Sequence, residues 1–440
     1  DVYKRQTLDI PYRLPQGCAS GQIAEWDGSA WQCGDDDTGG AGGDFWSLTG
    51  NAGTNPTVNF LGTTDNIPLE LRVNDSRALR LEPHPTSPNL IGGYKENWVT
   101  AGAYGAAIGG GGEEEHLNRV TDNYGTVGGG YDNQAGDNAG ATDGAMYATV
   151  GGGRYNQTRA PYGTIAGGGG IDPTTGNRVT DEWGTVGGGY NNQAGDDAGT
   201  MSDAGHATVG GGRSNEASAE YATVSGGEGN EASAGAATVG GGHGNEASGP
   251  SATVGGGGSN TANDNYTTIG GGRYNQAIAE YGTIGGGGGS TPETGNRVTD
   301  EWGTVGGGNQ NLAGDEAGTE DDAMYATVGG GQSNRAMADY ATIGGGGRSN
   351  PDNENTANWV TDDYGTIGGG GYNRAGSDDD DPTNAIYATV GGGEVNTARG
   401  HHSTVGGGES NLTNGPYDTV GGGYDNHVSA DWATIARGDR

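Results

Sequence analysis

Carboxylates crowd at a few points of this chain: Asp315-Glu316, Asp321-Asp322 and the run Asp378, Asp379, Asp380 and Asp381. Clustered carboxylates are hard-oxygen ligands, and Ca2+ suits them. The spacing matches neither an EF-hand loop nor the short Gly-Asp calcium repeat of secreted toxins. The same residues also read as solvated loops that keep an acidic protein soluble. A second candidate set is aromatic. Tyr131, Tyr155, Tyr190, Tyr274, Tyr372 and Tyr424 follow glycine runs at irregular intervals, which suits a recognition surface. A more regular column comprises Tyr147, Tyr162, Trp183, Tyr221, Tyr266, Tyr281, Trp302, Tyr325, Tyr340, Tyr364, Tyr387, Tyr417 and Trp432. Such rings can stack on sugars, or they can seal a coil edge or a subunit contact.

Catalytic chemistry finds less support. The seven histidines are scattered, and no Ser-His-Asp or metal triad has a useful spacing. The glycine runs lack the Lys-Ser/Thr of a phosphate loop. The expectation is a non-enzymatic protein with no cofactor beyond Ca2+. An almost unbroken threonine column (Thr126, Thr208, Thr223 and on to Thr434) invites comparison with ice-binding solenoids, although β-propensity accounts for it. A cleaving tailspike would need paired carboxylates in a groove, and no pair is distinctive. The Arg-Gly-Asp at 437–439 is a weak signal in a chain so rich in these residues.

Composition bounds the class. Of 440 residues 99 are Gly, only 30% are hydrophobic, and the formal net charge is −36. Such a chain is poor in core for a globular enzyme, and without periodicity it would read as disordered. The charge excludes nucleic acid as a natural partner and gives no support for polybasic membrane attachment. No apolar stretch is long enough for a transmembrane helix.

What must position the candidate residues is a repeat. From Asn89 an aliphatic anchor recurs, and between Val209 and Ile284 its spacing is an uninterrupted fifteen. Longer intervals place their additions after the glycines (Gly287–Trp302) or before the aromatic (Ala313–Tyr325), as loops at the corners of a solenoid do. Residues 154–212 are nearly repeated at 273–331, an offset of 119. Within one unit, Ala-Thr-Val alternates as a short strand, glycines allow bends, and Asn215, Asn230, Asn245, Asn260 and Asn275 mark a turn and can bond from coil to coil. A second short strand follows. The fold class is all-β, a parallel β-roll or β-solenoid over 89–440, with about twenty coils spanning roughly 95 Å at ~4.8 Å each. One Val or Ile and a few Ala per coil make a thin core, so a homo-oligomer, a trimer, is expected.

Two smaller segments precede the array. Cys18 and Cys33 bracket a hairpin, with strands Gln22–Trp26 and Ser29–Gln32 turning at Asp27-Gly28. A disulfide there implies an oxidising, extracytoplasmic setting. Residues 44–88 hold a second hairpin, Pro68–Val73 and Arg77–Leu81 around Asn74-Asp75. The domain reading is therefore 1–6, 7–43, 44–88 and 89–440. The first of these, "DVYKRQ", resembles a translated sequencing adapter and is set aside. The array still runs at Ile435, as it would in a piece of a longer protein.

The array resembles the head repeats of trimeric autotransporter adhesins, whose units also alternate small and aliphatic residues with Gly and Asn. The preface segments "GQIAEWDGSAWQC" and "FWSLTGNAGTNPTVNFLGTTDN" resemble bacterial surface and phage tail-fibre-like proteins that end in an endosialidase-type chaperone domain. The first resemblance implies a left-handed roll, a homotrimer and extracellular attachment to a host-surface protein or glycan; the second implies a phage or phage-like tail fibre. The fifteen-residue unit and its Val-Gly-Gly-Gly depart from the commoner adhesin pattern of about fourteen.

Overall fold

The computed structural model describes residues 18–19, 22–27, 29–35, 46, 49–198, 200–315, 319–347, 356–377, 379 and 381–439. Residues 1–6, Gly28, Glu316, Asp378 and Asp380 lie outside them. The chain forms two compact units, 1–64 and 65–440.

In the first unit, β1 (Gln22–Trp26) pairs antiparallel with β2 (Trp31–Asp35). The second strand starts later than the expected Ser29, because Asp27 holds the turn open. Its carboxylate accepts the N–H groups of Ser29 and Ala30 and the Ser29 hydroxyl. Those bonds hold its pKa low, at about 2. Cys18 and Cys33 are joined in a disulfide with Cα atoms 5.4 Å apart.

The second unit opens with β3 (Leu69–Val73) and β4 (Ser76–Glu82). Asn74 and Asp75 both take positive φ, 49° and 60°, as a two-residue hairpin turn requires. β4 then pairs antiparallel with β5 (Asn89–Gly92), the first strand of the array. The hairpin therefore continues the solenoid's own sheet.

From β5 onward the described chain makes two parallel sheets, one of twenty strands running to Thr434–Ile435 and one of nineteen from Trp98–Val99 to His427–Val428. The coil at 207–221 shows why these residues fold this way. Ala207 and Val209 are fully buried while Thr208 between them faces outward, the alternation of a strand. At Gly212, φ is +92° and a side chain would run into the Gly227 carbonyl of the next coil, so only glycine fits. Arg213 then bridges Glu228 in a third column of contacts. Asn215 is buried, Glu216–Ala217 forms the second strand, and Ala217 closes the interior.

Most N–H groups donate to the following coil, as Thr208 does to the Ala222 carbonyl (2.9 Å) and Glu216 to Asn230 (2.9 Å). Two corners do the reverse. Ser214 (φ 52°) donates back to the Tyr190 carbonyl and Tyr221 (φ 59°) back to Gly205. The left-handed conformation is what turns these N–H groups around. The left-handed residue is thus Ser214, one position before the asparagine that the sequence reading assigned to the turn. The asparagine amide is needed inside instead. Asn230 shows how: its Nδ2 donates to the carbonyls of Gly226 (2.9 Å) and Gly242 (3.0 Å), its N–H donates to Asn215 Oδ1, and its own Oδ1 accepts the Asn245 N–H.

The aliphatic anchors from Ile108 to Val420 are fully buried within a single chain. The core that looked too thin on its own is closed by its own coil, which hydrogen-bonds a buried polar file beside a narrow apolar one.

Candidate functional site

The regular aromatic column becomes a file of stacked rings on one corner of the solenoid. Each ring sits on a residue with φ between 54° and 65°, the corner that sends its N–H backward. A bulky residue there costs about 1 kcal/mol over glycine. Ring centroids follow at coil spacing: Tyr147 to Tyr162 is 5.1 Å, Tyr162 to Trp183 4.0 Å, Tyr281 to Trp302 3.9 Å and Tyr417 to Trp432 4.0 Å, all near-parallel. Stacking returns about 0.5–1.5 kcal/mol per pair. The rings remain open to solvent on one side, Trp183 at 46%, Tyr221 at 56% and Trp432 at 71% exposed.

His206 and His402, read from sequence as scattered histidines, belong to this file. His206 stacks on Tyr221 at 5.0 Å and His402 on Tyr387 at 4.8 Å. Tyr124 extends the file toward the N-terminal end, and Tyr104, beside the corner glycine Gly105, meets it edge to face at 5.2 Å. The signal was available in position rather than type, since His206, His402 and Tyr124 each stand three residues before their anchor, as the rings of the regular column do. Two successive coils between Tyr221 and Tyr266 carry no ring at this corner. Ala236 and Ser251 occupy the same corner with the same φ (57° and 58°) and make the same backward hydrogen bonds, to Glu220 and Gly235.

The irregular tyrosines do not form one surface. Tyr131, Tyr190 and Tyr424 lie in the column of single bridges, whereas Tyr155, Tyr274 and Tyr372 take the left-handed corner after it. Only Tyr131 and Tyr155 meet, edge to face at 5.4 Å, with His116 stacked on Tyr131 at 4.4 Å and Arg154 over both rings. Tyr155 is buried there, and burial pushes the Tyr131 hydroxyl up to about 12. Tyr372 and Tyr424 are about half exposed.

The carboxylates divide similarly. Asp379 and Asp381 are exposed and satisfied within their own loop. Asp379 accepts from Ser377 Oγ and Asn384 Nδ2, and Asp381 from the Thr383 N–H and hydroxyl. These bonds lower both pKa values. Asp315 and Asp322 come together around Asp300, a residue the sequence reading passed over; Asp321 does not join them. Asp300 is one of four equivalent buried aspartates, with Asp122, Asp181 and Asp362, each in a Val-Thr-Asp-x-(Tyr/Trp)-Gly stretch. In every copy Oδ2 accepts the preceding threonine hydroxyl and the N–H of the residue fifteen positions on: Asp137, Asp196, Asp315 or Ser377. The glycine before that residue has φ +104° to +126°, and a Cβ there would strike the same carboxylate. The aspartate therefore pins the long insert to the coil, and the fourfold motif was the signal for it.

No family model matches the chain, and no curated protein matches it in sequence.

Proposed function

We propose that this chain is a non-enzymatic, extracellular attachment fibre, an adhesin head or stalk whose solenoid presents the stacked aromatic file to a glycan on another surface. One observation carries the reading. Ala236 and Ser251 close their coils with the backbone geometry of the aromatic coils, so a ring is not required to make the corner. The rings occupy a strained position at which smaller residues suffice, and they leave a face to solvent. Aromatic faces at regular spacing suit the apolar faces of successive sugar rings, and repetition multiplies weak contacts. Assembly as a homotrimer, on the adhesin resemblance, belongs to the same proposal and would add a second and third file.

A glycan-array screen of the full chain, repeated on Trp183→Ala, Trp302→Ala and Trp432→Ala together, tests it. The expected result is saturable glycan retention by the parent and at least tenfold loss in the variant at unchanged circular dichroism. Sedimentation equilibrium on both proteins reads the competing role. Retention of glycan by the variant, with a trimer converted to monomer, would make the file a subunit contact and refute the attachment surface.

A further inference from the structure

We propose that Asp300, Asp315 and Asp322 form a divalent-cation site that takes Ca2+ and ties Asp315 and Asp322 to the buried Asp300 of the coil. One carboxylate oxygen from each residue lies within 4.8 Å of the others, and they are graded from a buried Asp300 to an exposed Asp322.

The second observation concerns Asp300 itself. It is fully buried, yet its Oδ1 accepts no hydrogen bond. In the other three copies this oxygen takes the N–H of the residue twenty-three positions on: Ala145 at 3.1 Å, Ala204 at 3.3 Å and Ala385 at 2.8 Å. The equivalent in this copy is Ala323, next to Asp322. Oδ1 is thus directed at the segment that carries the third carboxylate, with no donor to receive it. A buried carboxylate oxygen without a donor destabilises the fold unless a proton or a cation meets it.

The internal duplication supplies controls. The only other three-carboxylate set found among the described residues is Asp181, Asp196 and Asp203, 119 positions earlier. There Arg159 lines a cavity of about 240 Å³ together with Asp181 and Asp196, and pairs with Asp197 at 3.5 Å. In the later copy Ile278 stands at the position of Arg159, so no guanidinium comes from that point. In the remaining two copies the third position is Gly144 or Asn384, and Oδ1 has its N–H donor. The carboxylate triad lacking both the amide and the arginine is the one at Asp300. All its ligands are oxygens and one edge faces solvent, a set that favours Ca2+ with water completing the shell.

Calorimetric titration of the EDTA-stripped full chain with CaCl2, at pH 7 in 150 mM NaCl, tests this. Saturable binding of one tight Ca2+ with a Kd on the order of 10⁻⁴ M is expected. Asp322→Asn, on the exposed rim, should weaken it at least tenfold, and Asp321→Asn, with the same change of charge, should leave it intact. Ile278→Arg, which restores the arginine of the earlier copy, should weaken it as well. Equal effects of the two asparagine variants would show diffuse counterion binding and overturn the site. So would the absence of saturable uptake, which would mean that Asp300 and Asp322 share a proton instead.

Discussion

Replacing Asn245 with alanine removes one amide from the middle of the buried asparagine file. Its Nδ2 donates to the Gly241 carbonyl (2.8 Å), the Gly257 carbonyl (3.1 Å) and Asn230 Oδ1 (3.2 Å), and its Oδ1 accepts the Asn260 N–H (3.0 Å). The Gly257 carbonyl keeps the His243 N–H, and Asn230 Oδ1 keeps the Asn245 N–H. Two backbone groups therefore lose their bond, the Gly241 carbonyl and the Asn260 N–H. At about 1–3 kcal/mol for the buried Asn260 N–H, and less for the part-buried Gly241 carbonyl, the cost is about 1–4 kcal/mol. Asn245→Asp should cost more at neutral pH, because it sets a carboxylate oxygen against two carbonyl oxygens, and should recover part of the loss when protonated. Each coil touches only its neighbours, so the defect is local before it is global. Hydrogen–deuterium exchange by mass spectrometry should show lost protection in peptides spanning 230–275 while distant coils stay protected. Urea unfolding supplies the magnitude. A change under about 0.5 kcal/mol for Asn245→Ala, or an aspartate variant no worse than alanine, would refute the view that the amide file holds the coils in register.

Glu216, Glu231 and Glu246 stand in register on successive coils, and burial with the Glu231 charge raises the Glu216 pKa above its usual 4.5. A raised carboxyl favours the folded state below that ordinary value and withdraws the advantage as pH climbs through the folded value. The urea midpoint should accordingly fall from pH 4.5 toward neutrality, and Glu216→Gln should flatten that fall; superimposable profiles would rule the stacked charges out as its cause. The two ringless corners give the other test. Ala236→Tyr with Ser251→Tyr should join the two halves of the aromatic file, raising stability by about 1 kcal/mol or less and strengthening near-ultraviolet dichroism. An unchanged spectrum would mean that the rings act singly.

The architecture was legible because Thr-Val and Glu-Ala pairs recur at a fixed step, and a strand's alternation survives even in two residues. The Asn74-Asp75 turn was equally plain, since its chemistry is local. Burial of polar groups was not. Asn215 reads as a turn residue because the price of burying an amide depends on partners in other coils, which periodicity does not display. The rings at Tyr221 and Trp302 sit in a conformation their side chains disfavour, so propensity points away from them. Asp300 was passed over for the same reason: its partners lie one and fifteen positions away, while the conspicuous acidic runs, such as Asp379 and Asp381, satisfy themselves at the surface.

Because most coils offer the next the same buried asparagine amide, the same short strands and the same small inward side chains, near-copies of the array can be joined anchor to anchor. The displacement of 119 residues between the two near-copies carries Ile165 onto Ile284, anchor onto anchor. Excision or duplication of such a tract would remove or add whole coils and rejoin anchor to anchor. Length is thus the property of this fold that a change of whole repeats alters with the least disturbance to its packing.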